Sequence, residues 1–293
     1  MKISEILKDK PTISFEVFPP KNYDGDISSI YFTIQQLAEL SPDFISVTYG
    51  AAGLSRGHTV EIACAIKKYG VEPVAHLTCI SSDKEQVKDI CRQLKEGGVE
   101  NILALRGDIP RDNPECVRHD FKYASELTAF INSEFAGDFC LSGACYPEVH
   151  LESASLDEDI KALKAKVDAG AEYLVTQLFY DNNYYYRLVK EARKAGITVP
   201  IIAGIMPATN AKSLVRTARM CGAGIPYGLS TMLNKYYNSP RAMREIGINY
   251  AVSQISDLIT NGVDGIHIYT MNRPDVARDI FRAIPNVLKD LRK

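Results

Sequence analysis

Eight short apolar segments recur along this chain, and each runs into polar or glycine-containing residues that are mostly followed by helical periodicity. They are ISFEVFPP from Ile13, FISVTYG from Phe44, PVAHLTC from Pro73, NILALRGD from Asn101, FCLSGACYPEVH from Phe139, YLVTQLFYD from Tyr173, PIIAGIMP from Pro200 and GIHIYT from Gly265. Residues 83–97, between two of them, carry apolar side chains at spacings of three and four and end in glycine, which is typical of an amphipathic helix. Eight strand–helix units favour a (β/α)8 TIM barrel over an open doubly wound α/β sheet.

The length of the chain fits this fold class. Such a barrel typically needs about 250 residues, and the 293 residues here leave room for loops and one insertion. Apolar side chains between Ile225 and Gly262 predict that the insertion is an additional amphipathic helix before the last strand. No proline-rich, serine-rich or low-complexity linker interrupts the sequence. We therefore expect residues 1–293 to form a single barrel domain, with no residues left for a C-terminal regulatory domain.

The charge and hydropathy of the chain argue against nucleic acid and membranes as its binding partners. The 34 basic and 36 acidic side chains give a formal net charge of −2, which provides no general attraction for nucleic acid or an anionic membrane. No segment approaches the roughly 20 apolar residues of a membrane helix, and the start, MKISEILKDK, is too charged for a secretory signal. A small-molecule substrate and a cytoplasmic location are expected.

Seven cysteines are scattered along the chain without a CxxC pair. This arrangement predicts buried, reduced thiols rather than a disulfide framework, a zinc site or an iron–sulfur site. A bond between Cys140 and Cys145 is the alternative that the spacing leaves open. No bound metal is expected.

An acid interrupts the first apolar segment. In ISFEVFPPK, apolar Ile13, Phe15 and Val17 alternate with Ser14 and Glu16, which is the period of a β-strand. The two prolines that follow lack the N–H groups that would continue a ladder. Glu16 is therefore predicted to lie at the carboxyl end of a strand. The alternative is an edge-strand acid that faces solvent or an arginine.

Active sites of (β/α)8 barrels lie at the carboxyl ends of the strands. The polar residues predicted at those ends are Glu16, Thr48, His76, Arg106, Asp108, Tyr146, His150, Gln177 and Arg273. Paired carboxylates occur in glycoside hydrolases, but a chain without tryptophan lacks a common aromatic sugar platform. The sequence also lacks a glycine-rich P-loop and a GxGxxG motif after any strand. A glycosidase and a Rossmann-type nucleotide site are therefore disfavoured.

A series of motifs resembles those of the methylenetetrahydrofolate reductases, in the same order: SFEVFPPK, SVTYGA, HLTC, LALRGD, YPEVH, VDAGA, TQLFYD, GIMP and YTMNR. Together they extend from about residue 14 to residue 273. The resemblance implies a catalytic barrel that binds FAD noncovalently and accepts a hydride from NADH or NADPH. It then implies hydride transfer to 5,10-methylenetetrahydrofolate, giving 5-methyltetrahydrofolate. The length is similar to that of bacterial members that consist of the catalytic domain alone, and we expect a homo-oligomer.

The resemblance also implies two catalytic carboxylates. Glu16 is implied to be the general acid, and the chemistry independently requires one, because the imidazolidine ring of the folate must open before hydride can arrive. Asp108 is implied to lie beside the flavin and the pterin, where its charge opposes flavin reduction and favours a cationic iminium. The alternative for Asp108 is a residue that turns the chain after a strand.

Two further residues are implied to bind substrates. Gln177 would hydrogen-bond the pterin and accommodate the nicotinamide in turn, because an amide both donates and accepts. Its alternative is a strand-end amide bonded to nearby backbone. Arg273 would meet the acidic or aminobenzoyl part of the folate, for which a guanidinium is well shaped. Its alternative is a surface ion pair after the last strand.

For FAD, the resemblance implies contacts from Thr48, Ala51, His76, Arg106, Gly107, Asp108, Tyr123, Ala124, Tyr146, His150, Asp159 and Lys166. Cations can neutralise a pyrophosphate, and backbone N–H groups at a helix start can bind its oxygens. Without the resemblance, Lys166 is more typical of a solvated charge and His76 of a hydrogen-bonded core residue. Ala162 and Ala165 stand where family members often have polar contacts, so we expect fewer side-chain contacts to the adenosine end.

Two other classes of function remain open at this point. Another FAD-dependent barrel enzyme, such as a proline dehydrogenase-like oxidase, would bind flavin but reject folate. A noncatalytic folate-binding or partner subunit of a larger complex would be colourless. No ribose-discriminating motif decides between NADH and NADPH.

Overall fold

Eight parallel strands pair in chain order and close into a barrel in this computed structural model, which describes residues 1–20, 27–49, 56–108, 117 and 120–291. The strands are β1 (Thr12–Val17), β2 (Phe44–Val47), β3 (Glu72–Thr78), β4 (Asn101–Leu105), β5 (Cys140–Cys145), β6 (Tyr173–Thr176), β7 (Ile201–Ile205) and β8 (Gly265–Tyr269). Strand β1 pairs with both β2 and β8, so that Glu16 lies between Ser46 and Tyr269. The predicted (β/α)8 barrel is confirmed, and each strand lies within one of the eight apolar segments or begins one residue before it.

Helices follow the strands around the outside of the barrel. Those of the described residues are α1 (Ile3–Asp9), α2 (Ser28–Ala38), α3 (Arg56–Lys68), α4 (Lys84–Glu96), α5 (Ala124–Glu134), α6 (Leu156–Asp168), α7 (Asn182–Lys194), α8 (Ala211–Cys221), α9 (Tyr227–Tyr236), α10 (Pro240–Thr260), α11 (Pro274–Ala283) and α12 (Pro285–Leu291). None of these helices is both long and apolar enough to cross a membrane.

Helix α4 shows how the sequence specifies these elements. The Asp83 carboxylate accepts a hydrogen bond from the Gln86 backbone N–H at 2.9 Å, and the Gln86 side chain accepts one from the Asp83 N–H at 3.1 Å. This reciprocal capping box satisfies two N–H groups that the first turn leaves without helical partners. One face of the helix is buried against the barrel, as the three-and-four spacing predicted: Val87, Ile90, Cys91 and Leu94.

The amino end of the barrel is closed by α1. Ile3 is fully buried in an apolar cluster with Phe44, Val74 and Tyr173, which line the lower part of the barrel. The Ile3 N–H donates to the Asn101 side-chain oxygen at 2.8 Å, which fixes the start of the helix on β4. The lumen is therefore apolar at this end, and its polar side chains lie above that layer, toward the carboxyl ends of the strands.

The insertion before the last strand holds two helices, where the sequence predicted one. Helices α9 and α10 follow α8, and they bury a second apolar cluster that includes Leu229, Leu233 and Met243. Helix α10 approaches the chain after β7 so closely that a Cβ atom on Gly247 would lie 2.2 Å from the Ala208 carbonyl oxygen. The short segment between α9 and α10 contains Pro240 at the first turn of α10, which favours a new helix start there.

The described cysteines are free thiols, as predicted: Cys64, Cys79, Cys91, Cys140, Cys145 and Cys221. Cys140 and Cys145 begin and end the same strand and form no disulfide. Burial raises the pKa of the Cys145 thiol to about 12 and that of Cys140 to about 11. Both thiols are therefore protonated at neutral pH and behave as small apolar side chains.

Candidate active site

Glu16 lies inside the barrel near the carboxyl end of β1, with only 6% of its surface exposed. Its Oε2 atom lies 3.4 Å from His76 Nε2 and 3.6 Å from His267 Nε2. The same oxygen accepts a hydrogen bond of 3.5 Å from the Ser46 hydroxyl. The prediction of an acid at the carboxyl end of a strand is confirmed, and the alternative of an edge-strand acid facing solvent is wrong.

A polar group of side chains lies directly below this acid in the lumen. The Ser14 hydroxyl lies 2.7 Å from His267 Nδ1, and the His267 ring stacks on Phe44 with the ring centroids 5.7 Å apart. Sequence reasoning missed Ser14, Ser46 and His267. The available signal was strand parity, because Ser14 shares a face with Glu16, and the pairing partners of these two residues are His267 on β8 and Ser46 on β2.

His76 reaches into the same space from β3. Burial lowers the pKa of His76 to about 4, an effect to which His267 adds and which Glu16 opposes. Its Nε2 atom is buried and has no hydrogen-bond partner among the described residues. His76 is therefore neutral at pH 7 and presents a ring nitrogen that a neighbouring carboxylic acid or a ligand can satisfy.

The loop after β8 fixes the backbone around Glu16. The Thr270 hydroxyl donates to the Glu16 carbonyl oxygen at 2.7 Å. The Asn272 side chain accepts from the Phe18 N–H at 2.9 Å and donates to the Phe18 carbonyl at 2.7 Å. Met271 and Asn272 have left-handed φ values of 52° and 57°, and asparagine tolerates this conformation better than most residues. Both residues belong to the YTMNR motif, but nothing in the sequence identified them as supports of β1.

Tyr269 lies between the Glu16 side of the lumen and β6. Its hydroxyl donates to the Thr176 carbonyl oxygen at 2.6 Å. The ring lies over Gly204, where a Cβ atom would come within 2.7 Å of it, so this position requires glycine. Burial raises the pKa of Tyr269 well above its usual value, and the charges of Glu16 and Tyr146 act in the same direction. Tyr269 is therefore a neutral hydrogen-bond donor, another residue that the sequence analysis missed.

Arg106, Gly107 and Asp108 follow β4. The Arg106 guanidinium forms a two-pronged ion pair with Glu152, with N···O distances of 2.5 and 2.7 Å. Gly107 has a φ of +87° and packs against Thr78, so this tight turn favours glycine. Asp108 is exposed, and its charge contributes to raising the pKa of Tyr146, after burial, which has the larger effect.

Tyr146 and His150 lie in the loop after β5, beside the Arg106 turn. Their rings meet edge to face with the centroids 4.5 Å apart. The Asp159 carboxylate accepts hydrogen bonds from the His150 backbone N–H at 3.0 Å and from the Ser153 hydroxyl at 3.4 Å. Asp159 at the start of α6 therefore holds this loop in place.

Lys166 is partly buried and bonded to the backbone of β5. Its Nζ donates to the Ala144 carbonyl oxygen at 2.7 Å, and its aliphatic stem lies over Gly143 on β5. Burial lowers the pKa of Lys166, although Cys145 and Asp159 oppose this effect. The interpretation of Lys166 as an ordinary surface charge is wrong. Ala162 and Ala165, on the same helix, are exposed.

The other predicted cofactor residues are distributed along the same rim. The Thr48 N–H donates to the Val17 carbonyl at 3.1 Å, which joins the ends of β1 and β2. Tyr123 is 50% exposed and Ala124 begins α5. Ala51 lies outside the described residues.

Gln177 and Arg273 form the contacts that their alternative interpretations predicted: a bond from the Gln177 amide to nearby backbone and a surface ion pair of Arg273. The Gln177 backbone N–H donates to the Cys145 carbonyl at 2.8 Å, and its side-chain oxygen accepts from the Leu178 N–H at 2.8 Å. The Arg273 guanidinium is exposed and pairs with Asp275 at 2.9 Å. Both residues nevertheless follow the carboxyl ends of strands, β6 and β8.

The site as a whole combines a buried acid beside a neutral histidine, two cations and a pair of aromatic rings. An enclosed carboxyl group, Glu16, lies with neutral His76 in the lumen. Two cations, Arg106 and Lys166, lie with the Tyr146 and His150 rings on the β4 and β5 side. Such a donor set suits a ligand that carries both phosphate groups and flat rings.

Comparisons with known proteins point to one family. The family described as "Methylenetetrahydrofolate reductase" matches residues 2–285. A 5,10-methylenetetrahydrofolate reductase of Pectobacterium carotovorum subsp. carotovorum is 36% identical over 272 residues, covering 92% of this chain and 89% of the relative. The enzyme of the same name from Escherichia coli (strain K12) is 37% identical over 268 residues, covering 90% of this chain and 88% of the relative.

Plant relatives are longer. A protein of Arabidopsis thaliana named methylenetetrahydrofolate reductase (NADH) 1 is 34% identical over 284 residues, and the match covers 92% of this chain but 48% of the plant protein. The chain thus spans about half the length of this relative.

Among solved structures, a protein from Clostridium thermocellum described as binding two copies of 5-methyl-5,6,7,8-tetrahydrofolic acid superposes with a TM-score of 0.70. The superposition covers 99% of this chain and 98% of that protein, at 14% sequence identity. At this identity the similarity establishes the barrel fold alone.

Proposed function

Because this chain belongs to the methylenetetrahydrofolate reductase family, we propose that it reduces 5,10-methylenetetrahydrofolate to 5-methyltetrahydrofolate with FAD as cofactor and a reduced nicotinamide as electron donor. The observation that carries the proposal is the enclosed carboxyl group of Glu16 at the rim of the barrel, beside neutral His76. Opening of the folate ring needs a positioned proton donor, and we propose this role for Glu16.

The residues on the β3, β4 and β5 side fit FAD. The buried His76 Nε2 atom lacks a hydrogen-bond partner among the described residues, so a ligand polar atom would satisfy it. Arg106 and Lys166 are suited to the pyrophosphate, and Tyr146 with His150 form an aromatic surface for a ring. Bound FAD would supply the hydride carrier between the two substrates.

Glu16 would act as the general acid. The imidazolidine ring of the folate opens when its departing amine takes a proton, which exposes an electrophilic iminium. A positioned acid contributes about 10²–10⁴-fold to a step of this kind. The Ser46 hydroxyl and the backbone contact from Thr270 hold Glu16 in one place, so that its proton would be presented to a single region of the lumen.

Asp108 would act through its charge. It is exposed at the end of the β4 turn and lies near enough to Tyr146 to affect its ionisation. A carboxylate at this rim stabilises a cationic iminium as it forms and opposes the gain of negative charge by a flavin on reduction. Its role would therefore be electrostatic rather than that of a proton donor.

Gln177 and Arg273 would bind the substrates by exchanging local partners. The Gln177 amide is held by the neighbouring Leu178 N–H, a contact that a pterin or a nicotinamide amide can replace. The Arg273–Asp275 pair is exposed, so its net contribution to stability is small and a folate carboxylate can compete for the guanidinium.

We propose NADH as the electron donor because the Arabidopsis relative carries NADH in its name.

An anaerobic two-step titration of the purified protein tests this function. The expected result is a yellow protein that bleaches when NADH is added and regains its colour when 5,10-methylenetetrahydrofolate is added. A parallel titration with NADPH identifies the donor. A yellow protein that bleaches but is not reoxidised by the folate would indicate another flavoenzyme, and a protein that binds no FAD would indicate a noncatalytic folate-binding subunit.

A further inference from the structure

We propose that Glu152 sets the affinity for FAD by competing with its phosphate oxygens for the Arg106 guanidinium. This inference rests on the proposed function, since it takes FAD as the ligand. Glu152 lies in the loop after β5, 46 residues from Arg106 in the sequence, and neither the motifs nor the predicted site residues included it.

The contact between the two side chains uses the part of arginine that recognises phosphate. The two terminal nitrogens of Arg106 donate to the two carboxylate oxygens of Glu152 at 2.5 and 2.7 Å. A phosphate binds arginine through the same fork of parallel N–H groups. Because one fork cannot take two such partners in this geometry, a phosphate that binds there must displace the carboxylate.

Of the two cations that the described residues place here, Arg106 and Lys166, Arg106 presents its fork to an exposed partner. The Lys166 ammonium is bonded to the Ala144 carbonyl oxygen and is largely covered. The Arg106 Nε–H donates to the Gly107 carbonyl oxygen at 3.2 Å, which helps to fix the orientation of the guanidinium. A ligand phosphate therefore meets the Arg106 fork, and with it the Glu152 carboxylate.

The Glu152 side chain can leave Arg106 without a change in the backbone of the loop. Its backbone N–H donates to His150 Nδ1 at 3.0 Å, so the main chain is fixed beside the site. Its side chain is 58% exposed, whereas that of Arg106 is 23% exposed. The carboxylate can therefore swing into solvent while Arg106 and the loop stay in place. A partly exposed ion pair of this kind contributes little to stability, so a phosphate can displace the carboxylate.

The expected effect is a modest change in affinity. Glu152→Gln keeps the shape of the side chain but removes the charge that competes for Arg106, so the dissociation constant for FAD should fall by about two- to fivefold at low salt. The difference from wild type should shrink at about 0.5 M salt, because exposed charges are then screened.

A double-mutant cycle separates this competition from general repulsion between Glu152 and phosphate. The variants are Glu152→Gln, Arg106→Gln and the double variant, with Asp157→Asn as the matched control. Asp157 is an exposed carboxylate in the first turn of α6, close in sequence to Glu152. Free and bound FAD are measured by ultrafiltration of the full chain, with FAD added up to millimolar concentrations so that weak binders are also quantified.

The competition predicts that Glu152→Gln tightens FAD binding in the wild-type background and leaves it unchanged in the Arg106→Gln background. Asp157→Asn should match wild type. Equal tightening in both backgrounds, unchanged affinity or weaker binding of Glu152→Gln would overturn the inference while leaving the proposed function intact. A wild-type chain that binds no FAD would refute the proposed function, and this inference with it. Thermal unfolding of each variant verifies that it is folded.

Discussion

The ionisation states of several side chains in this site are determined by burial more than by direct ion pairing. His76 is the clearest case, because burial holds its pKa at about 4 although the carboxylate of Glu16 lies 3.4 Å away and acts in the opposite direction. Tyr269 and Tyr146 are also kept neutral by burial. In the part of the site that the structure describes, these rings can therefore exchange hydrogen bonds without carrying charge, near the enclosed acid Glu16.

The low pKa of His76 makes a prediction about stability and pH. The native chain keeps His76 neutral until about pH 4, whereas the unfolded chain takes up this proton near pH 6.5. Between these values the unfolded state binds more protons, so the free energy of unfolding falls as the pH falls, by an amount on the order of 3 kcal/mol from this residue. Urea unfolding from pH 7 to pH 4.5 measures it.

The variant His76→Asn should lose that part of the pH dependence. His58→Asn, a change on the outer helix α3, is the matched control and should keep the wild-type slope. If the His76 variant retains the full wild-type slope, His76 is not the group that titrates in this window.

The proposed electrostatic role of Asp108 predicts a change in the midpoint potential of the flavin. Removing a negative charge beside the flavin should make reduction easier, so Asp108→Asn should raise the midpoint potential of bound FAD by about 20 mV, equivalent to ~1 kcal/mol for two electrons. Spectroelectrochemical titration measures this shift. An unchanged potential would leave Asp108 as a residue that only turns the chain after β4.

At the level of elements, loops from distant parts of the chain support the site. The loop after β8 binds the backbone of residues 16 and 18 through Thr270 and Asn272. The loop after β5 is held to α6 by Asp159, and the Glu148 carboxylate joins it to the segment after α8 by accepting from the Gly224 N–H at 2.8 Å. Precise placement of the acid and the cations therefore depends on loop–loop contacts.

Asn272→Ala tests one of these supports. The change removes both hydrogen bonds to Phe18 and places alanine at a left-handed φ of 57°. The free energy of unfolding should fall by about 1–3 kcal/mol, and folate-dependent reoxidation should slow by up to about 10²-fold because Glu16 is no longer well positioned. Met271→Ala, at a neighbouring left-handed residue that is half exposed, is the control. Equal effects of the two changes would argue against a specific support.

Element identity could be predicted from the sequence, but the facing of side chains could not. Every residue of β1 is buried, because the strand lies between the lumen and the outer helices. Alternation in such a strand separates two faces but identifies the lumen face only relative to a residue already placed there, here Glu16. Parity with Glu16 could have identified Ser14, whereas Ser46 and His267 also required the pairing register of the strands. Likewise, nothing local in the sequence pairs Arg106 with Glu152, because that contact depends on how two loops meet.

At the scale of the whole molecule, the apolar packing lies at the amino end of the barrel and the candidate active site lies at the carboxyl end. The amino end is closed by α1 and an apolar layer that includes Ile3 and Phe44, while polar and titratable groups lie toward the other end. The apolar segments predicted the strand ends well, since Arg106, Asp108, Tyr146, His150 and Arg273 follow strands β4, β5 and β8. Two helices, α9 and α10, replaced the one predicted in the insertion, because apolar periodicity over 38 residues does not reveal an internal break before Pro240.

The most direct test of the account is the separation of the two half-reactions in Glu16→Gln. Reduction of the bound flavin by NADH should proceed as in wild type, whereas reoxidation by 5,10-methylenetetrahydrofolate should slow by about 10²–10⁴-fold. Glu72→Gln, on β3 beside Lys67 at the outside of the barrel, is the matched control and should leave both steps unchanged. Stopped-flow absorbance of the flavin measures each step under anaerobic conditions. Wild-type folate reoxidation in Glu16→Gln would contradict the assignment of this acid as the proton donor.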